Sequence, residues 1–198
     1  MTGSLAKRVM EHVRSLPEAS PICAAALLHL GNRAAVDQAL SRLAKAGQLA
    51  RVFQGVYMRP VETRFGPRAP GVDKALGALA NLWGETIVPC GGASAYVLGL
   101  TAQMPVRSVY LTSGPGRRLR FGNMEVELRH APRWQLAPNG RAGEVIRALA
   151  WLGPEDVRDR LGEVAPGLTP KEIEELSHAR ATMPQWIAEP LSELVANG

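Results

Sequence analysis

Reactive and metal-binding side chains are scarce in this sequence. Cys23 and Cys90 stand alone in apolar segments, without a C-x-x-C motif or a histidine at ligand spacing, so they read as small buried hydrophobes in a reducing compartment. His12, His29, His130 and His178 are equally dispersed, and no metal centre is expected. No apolar run approaches the ~20 residues of a membrane span, and no basic N-terminal segment leads into an apolar leader. A soluble, cytoplasmic chain is expected. Phosphate-loop signatures are missing too: Gly91-Gly92 lies at a strand-to-helix turn in IVPCGGASAYVLGL, but neither a Gly-Lys-Ser/Thr ending nor G-x-G-x-x-G follows. A tight turn with close packing explains the two glycines, and no cofactor is expected.

Hydrolytic chemistry is no better supported. No G-x-S-x-G elbow marks a nucleophile, and Ser94 after Gly-Gly-Ala is a faint echo of one. A restriction-nuclease strand needs carboxylates for Mg²⁺ followed by a lysine near the nucleophile; Glu125-Val126-Glu127 lacks that lysine and Arg129 follows instead. Alternation across Met124 to Leu128 fits an ordinary half-buried strand.

What the chain does have is cationic charge, unevenly placed. Its net charge of +5 conceals +5 over residues 1–60, +5 over 61–142 and −5 from 143 onward. The first two segments suit a polyanion and the third does not.

The strongest pattern is GNRAAVDQALSRLAKAGQLARVFQGVYMRP, Gly31 to Pro60. Asn32 is a good N-cap, and Val36, Leu40 and Leu43 recur at helical spacing until Gly47 stops the helix. Its opposite face carries Arg33, Ala34, Asp37, Gln38, Ser41, Arg42 and Lys45, side chains suited to a major groove. Leu49 to Phe53 and Val56 to Arg59, joined by Gln54-Gly55, read as a hairpin. Upstream, a helix from Ser4 to about Ser15 offers Leu5, Val9, Val13 and Leu16 to a core. A second helix is expected from Ser20-Pro21 through Leu30. Three helices and a two-stranded wing spell a winged helix-turn-helix, with the third helix as reader.

The segment PVETRFGPRAPG, with three prolines and two glycines, reads as a linker. Beyond it, helices are expected at Val72–Trp83, Ala93–Leu98, Ala142–Leu152, Pro154–Leu161, Thr169–Ala181 and Pro184–Val195, and strands at Thr86–Pro89, Val106–Thr112, Leu119–Phe121 and Met124–Arg129. The expected fold class is therefore α+β: a winged helix over 1–60, a linker over 61–71, and a mixed α/β domain over 72–198 with a small sheet and a helical C-terminal tail. Trp151 and Trp186 are expected to bury in that tail, and Trp134 to pack its indole over a core edge. Arg117, Arg118 and Arg120 fall on a Gly/Pro-rich turn, either as a solvated loop or as accessory contacts to DNA phosphates or an acidic partner.

The segments from Gly31 to Gly66 and from Glu85 to Gly122, with VELRHAPRW, resemble the AbiEi-type antitoxins of type IV toxin–antitoxin systems, in the branch also catalogued as DUF6088. The more specific parts are Leu100-Thr101-x-Gln103-x-Pro105 and Tyr110-Leu111-Thr112-Ser113-Gly114. The resemblance implies a non-enzymatic autoregulator whose winged helix binds operator DNA and whose second domain assists repression and supplies antitoxin activity. It also implies a nucleotidyltransferase-like toxin as functional partner, without a required stable complex. A homodimer is compatible with it. Arg33, Asp37, Gln38, Arg42 and Lys45 are the expected groove contacts, and Arg51, Gln54 and Arg59 the wing contacts. The rival readings are a winged-helix-targeted nuclease or other metal-dependent nucleic-acid enzyme, and a protein-interaction module.

Overall fold

A computed structural model describes residues 4–197. In chain order its elements are α1 (Leu5–Ser15), a one-turn 3₁₀ helix (Ala24–Leu27), α2 (Arg33–Lys45), β1 (Ala50–Phe53), β2 (Val56–Met58), β3 (Val61–Thr63), β4 (Gly66–Arg68) and α3 (Val72–Trp83). There follow β5 (Ile87–Pro89), α4 (Gly91–Val97), β6 (Ser108–Thr112), β7 (Arg117–Phe121), β8 (Met124–His130), α5 (Arg133–Leu136) and α6 (Gly140–Leu152). The chain ends in α7 (Val157–Val164), α8 (Pro170–Ala179) and α9 (Gln185–Asn197). This is the expected α+β class. The chain divides into two compact units, one running to Glu85 and including Arg118–Val126, the other holding Thr86–Arg117 and the chain from Glu127 onward.

The first unit is built on α1 and α2. Ser4 Oγ accepts from the Lys7 N–H and Asn32 Oδ1 from the Ala35 N–H, so both helices begin on a side-chain cap. Val9, Met10 and Val13 of α1 meet Val36, Ala39, Leu40 and Leu43 of α2, together with Leu27, Leu49 and Tyr57, in one apolar cluster. Gly47, at φ +73°, ends α2 in the left-handed region that glycine enters without penalty. β1 and β2 pair antiparallel, Ala50 opposite Met58 and Arg51 opposite Tyr57.

Two segments of this unit differ from expectation. Ser20-Pro21 does not open a helix: Ile22 is extended and exchanges both backbone hydrogen bonds with Tyr57, at 2.7 and 2.9 Å. A β-branched residue after proline favours that conformation, and the bridge buries Ile22. Helix is confined to Ala24–Leu27, with Ala25, Ala26 and Leu28 exposed. This order, with a short extended bridge between α1 and the 3₁₀ helix and the hairpin after α2, is compatible with a winged helix. The expected linker, in turn, contains the β3–β4 hairpin, Val61 opposite Arg68 and Thr63 opposite Gly66. Thr63 Oγ1 closes its turn by accepting from the Phe65 N–H at 3.2 Å and donating to the Gly66 carbonyl at 2.8 Å.

In the second unit β5 and β6 pair antiparallel, Ile87 opposite Thr112, and β8 is the other neighbour of β6. The core lies among the helices. Val145, Ile146 and Leu149 of α6 pack with Ala95, Val157, Leu161, Leu176, Ile187 and Leu191, and the Trp134 and Trp186 indoles are half-buried against this cluster. Trp151 is different. It stands 54% exposed, because α6 turns its indole away from that cluster. Cys23 and Cys90 are both free thiols and only half-buried, not enclosed in a core as expected. A complete capping box opens α8: Thr169 accepts from the Glu172 N–H, while the Glu172 carboxylate accepts from the Thr169 N–H at 2.7 Å and hydroxyl at 2.8 Å. Those hydrogen bonds, the backbone one foremost, hold the Glu172 carboxyl below its ordinary range.

Candidate nucleic-acid interface

α2 separates its two faces by period alone. Val36, Ala39, Leu40 and Leu43 point into the core, whereas Arg33, Ala34, Asp37, Gln38, Arg42 and Lys45 are exposed and Ser41 is half-buried beside them. Among the described residues Gln38, Arg42 and Lys45 make no side-chain hydrogen bond or ion pair; they lie along one strip of the surface and are free to engage a ligand. Arg33 is partly committed: its Nε donates to Asp37 Oδ2 at 3.1 Å, an exposed pair one turn apart. Asp37 therefore orients Arg33. The face is cationic on balance, with Arg33, Arg42 and Lys45 against Asp37. Arg42 and Lys45 sit in the last turn, where the helix dipole favours them.

The expected hairpin contacts separate into two settings. Arg51 and Gln54 are exposed, Gln54 at the β1–β2 turn beside Gly55, whose φ is +71°. Arg59 is half-buried at the far end of β2 and lines a cleft of about 610 Å³ with Arg14, Glu18 and Glu62. Two exposed residues outside the expected set belong to the β3–β4 turn: Phe65 is 86% exposed, and the Arg64 guanidinium lies 4.6 Å from its ring centroid. The Thr-Arg-Phe-Gly turn was the available signal, obscured by the surrounding prolines.

The family model described as a family of unknown function, DUF6088, matches residues 8–175. The chain belongs to this family. A search of curated proteins finds no match. Among solved structures, this chain is similar to the crystal structure of the RV2827C protein from Mycobacterium tuberculosis at 17% identity, covering 99% of this chain and 78% of that one with a TM-score of 0.47.

In this DUF6088 protein the arginine cluster is not a flexible turn. Arg117–Phe121 is strand β7, so the residues alternate: Arg118 and Arg120 are exposed while Leu119 and Phe121 are buried. Arg117 is half-buried and its Nε donates to the Pro115 carbonyl at 3.2 Å. Arg118 Nε lies 3.6 Å from Glu125 Oε1. The β8 carboxylates are likewise engaged. Arg129 donates to both Glu127 oxygens at 3.0 Å, and these hydrogen bonds raise the guanidinium pKa above its ordinary value. Among the described residues no group of three or more His, Cys, Asp or Glu side chains is placed to hold a metal ion, and no helix is long and apolar enough to cross a membrane.

Proposed function

We propose that this protein is a sequence-specific DNA-binding transcriptional repressor that autoregulates its operon and acts as a type IV antitoxin in the cytoplasm. One observation carries the DNA-binding part: an exposed strip of Gln38, Arg42 and Lys45 with no partner among the described residues, on a capped helix whose other face is fixed in a core. Gln38 has the donor and acceptor to pair with adenine, and Arg42 the fork to pair with guanine. Arg51 and Gln54 on the hairpin supply phosphate contacts. The antitoxin part is supported by the resemblance carried by Leu100–Pro105 and Tyr110–Gly114. Its functional partner is a nucleotidyltransferase-like toxin, antagonised without a required stable complex. No catalytic step is assigned.

The test is binding of the purified chain to DNA upstream of its own gene. Arg42→Ala should cost about 1–3 kcal/mol of discrimination, concentrated at one operator position. Arg51→Ala should instead weaken binding to all sequences alike and reduce the log–log salt slope by about one. Absence of salt-dependent binding to any DNA would favour a protein-interaction module. Equal affinities of Arg42→Ala and wild type across operator variants would remove Arg42 from the reading face.

A further inference from the structure

The second unit contains a cavity of about 630 Å³, within the range of small-molecule sites. Much of its wall is apolar, and some of that surface is openly exposed: Met104 at 71%, Val106 at 101% and the Trp151 indole. Leu111 and Val109 of β6 and Ala150 of α6 complete the apolar lining.

Against this apolar wall stands a cation. Arg147, on α6, lines the cavity yet is only 3% exposed. Among the described residues its one hydrogen bond runs from Nη1 to the Gln135 carbonyl at a long 3.4 Å, and its Nε has no partner there. Among the described residues no carboxylate forms an ion pair with it. Glu144, three residues earlier on the same helix, favours the charged form but is outweighed by burial, which lowers the guanidinium pKa. Arginine does not discharge in proteins, so lowering its pKa leaves the charge in place. A buried charge without a counter-ion is costly, and a neutral water satisfies an N–H without neutralising the charge. The cavity's other arginines do not change the balance. Arg129 is already neutralised by both oxygens of Glu127, and Arg107 is an exposed cation that adds positive potential.

We propose that this cavity binds a small organic oxyanion, a carboxylate or phosphate ester carried on an aromatic or apolar body, with Arg147 pairing with the oxyanion and Trp151 covering the body. The planar guanidinium matches two oxygens at once, and its buried Nε is a donor that the described residues leave unsatisfied. The exposed indole gives a flat partner to an aromatic ring. Gly92 leaves the indole room: a Cβ there would stand 3.3 Å from Trp151 Cε2. This site is independent of the α2 face and stands whether or not the protein binds DNA.

Titration of the full chain with benzoate and with phenyl phosphate, followed by calorimetry and tryptophan fluorescence, tests it, with benzamide as the neutral isostere. Saturable one-to-one binding of an anion is expected, with benzamide weaker by about tenfold or more, the worth of one charge-assisted contact. Arg147→Met should abolish the preference for the anion. Because that variant alters a buried position, Trp151→Ala provides a second reading: it keeps the Cβ, removes an exposed ring, and should weaken the anion by about tenfold. The tighter of the two probes assigns the headgroup. The proposal is overturned if neither anion saturates by about 10 mM, if benzamide binds as tightly, or if Trp151→Ala leaves the affinity unchanged.

Discussion

Replacing Leu40 by alanine is expected to destabilise the first unit by about 2–5 kcal/mol, the range for opening a leucine-sized cavity in a packed core. Leu40 is fully buried, between Val36 and Leu43 along α2 and against the side chains of α1, in a cluster drawn from a short stretch of chain. A small core has few neighbours able to collapse into the gap, which argues for the upper part of that range. Urea unfolding of the full chain measures it. Gln38→Ala, two residues away on the opposite face, should change stability by less than about 0.5 kcal/mol while impairing DNA binding. If Leu40→Ala unfolds like wild type, or if Gln38→Ala is the more destabilising of the two, the assignment of faces on α2 is wrong.

That assignment was legible in the sequence because period and punctuation agreed. Asn32 caps α2, Gly47 ends it, and between them the apolar residues recur on one face, so nothing tertiary was needed to place Gln38, Arg42 and Lys45 on the other. Ile22 was illegible for the converse reason. Ser20-Pro21 is a respectable helix start, and the alanines that follow have high helix propensity, but the bridge to Tyr57 depends on a residue thirty-five positions away. The β3–β4 hairpin was hidden by its composition, since Pro67 and Gly66 are breakers in a window and strand residues only once Glu62 pairs opposite Pro67.

The arginines show how neighbours in sequence can part in space. Arg117, Arg118 and Arg120 are adjacent in sequence, which suggests joint action. Strand alternation instead gives Arg118 and Arg120 the solvent face and turns Arg117 back to the Pro115 carbonyl. Trp151 makes the same point for an aromatic in an apolar helix. The surrounding run read as buried, whereas its position on α6 puts the indole at a cavity mouth. Arg147 gave no sequence signal at all, because its burial depends on how α6 packs and not on its neighbours in the chain.

Gly91→Ala is expected to destabilise the second unit by about 1–3 kcal/mol or more, although it adds a single methyl group to a residue with an ordinary helical backbone. Gly91 is buried at the start of α4, and a Cβ there would collide with the Arg147 carbonyl oxygen and the Trp151 Cβ of α6. Neither of these atoms belongs to the far end of a flexible side chain. Relief therefore requires α4 and α6 to separate, which opens contacts around Ala95, Ala148 and Leu149 that are packed without exposed surface. Gly77→Ala on α3 is the matched control. Gly77 is exposed within its helix with nothing within 4 Å of the new methyl, so alanine should stabilise by about 0.4–1 kcal/mol through helix propensity and a less flexible unfolded chain. Denaturant curves of the two variants should move in opposite directions. A Gly91→Ala curve that moves with Gly77→Ala would mean that α4 does not press on α6, and that the Gly-Gly pair is a matter of backbone conformation alone.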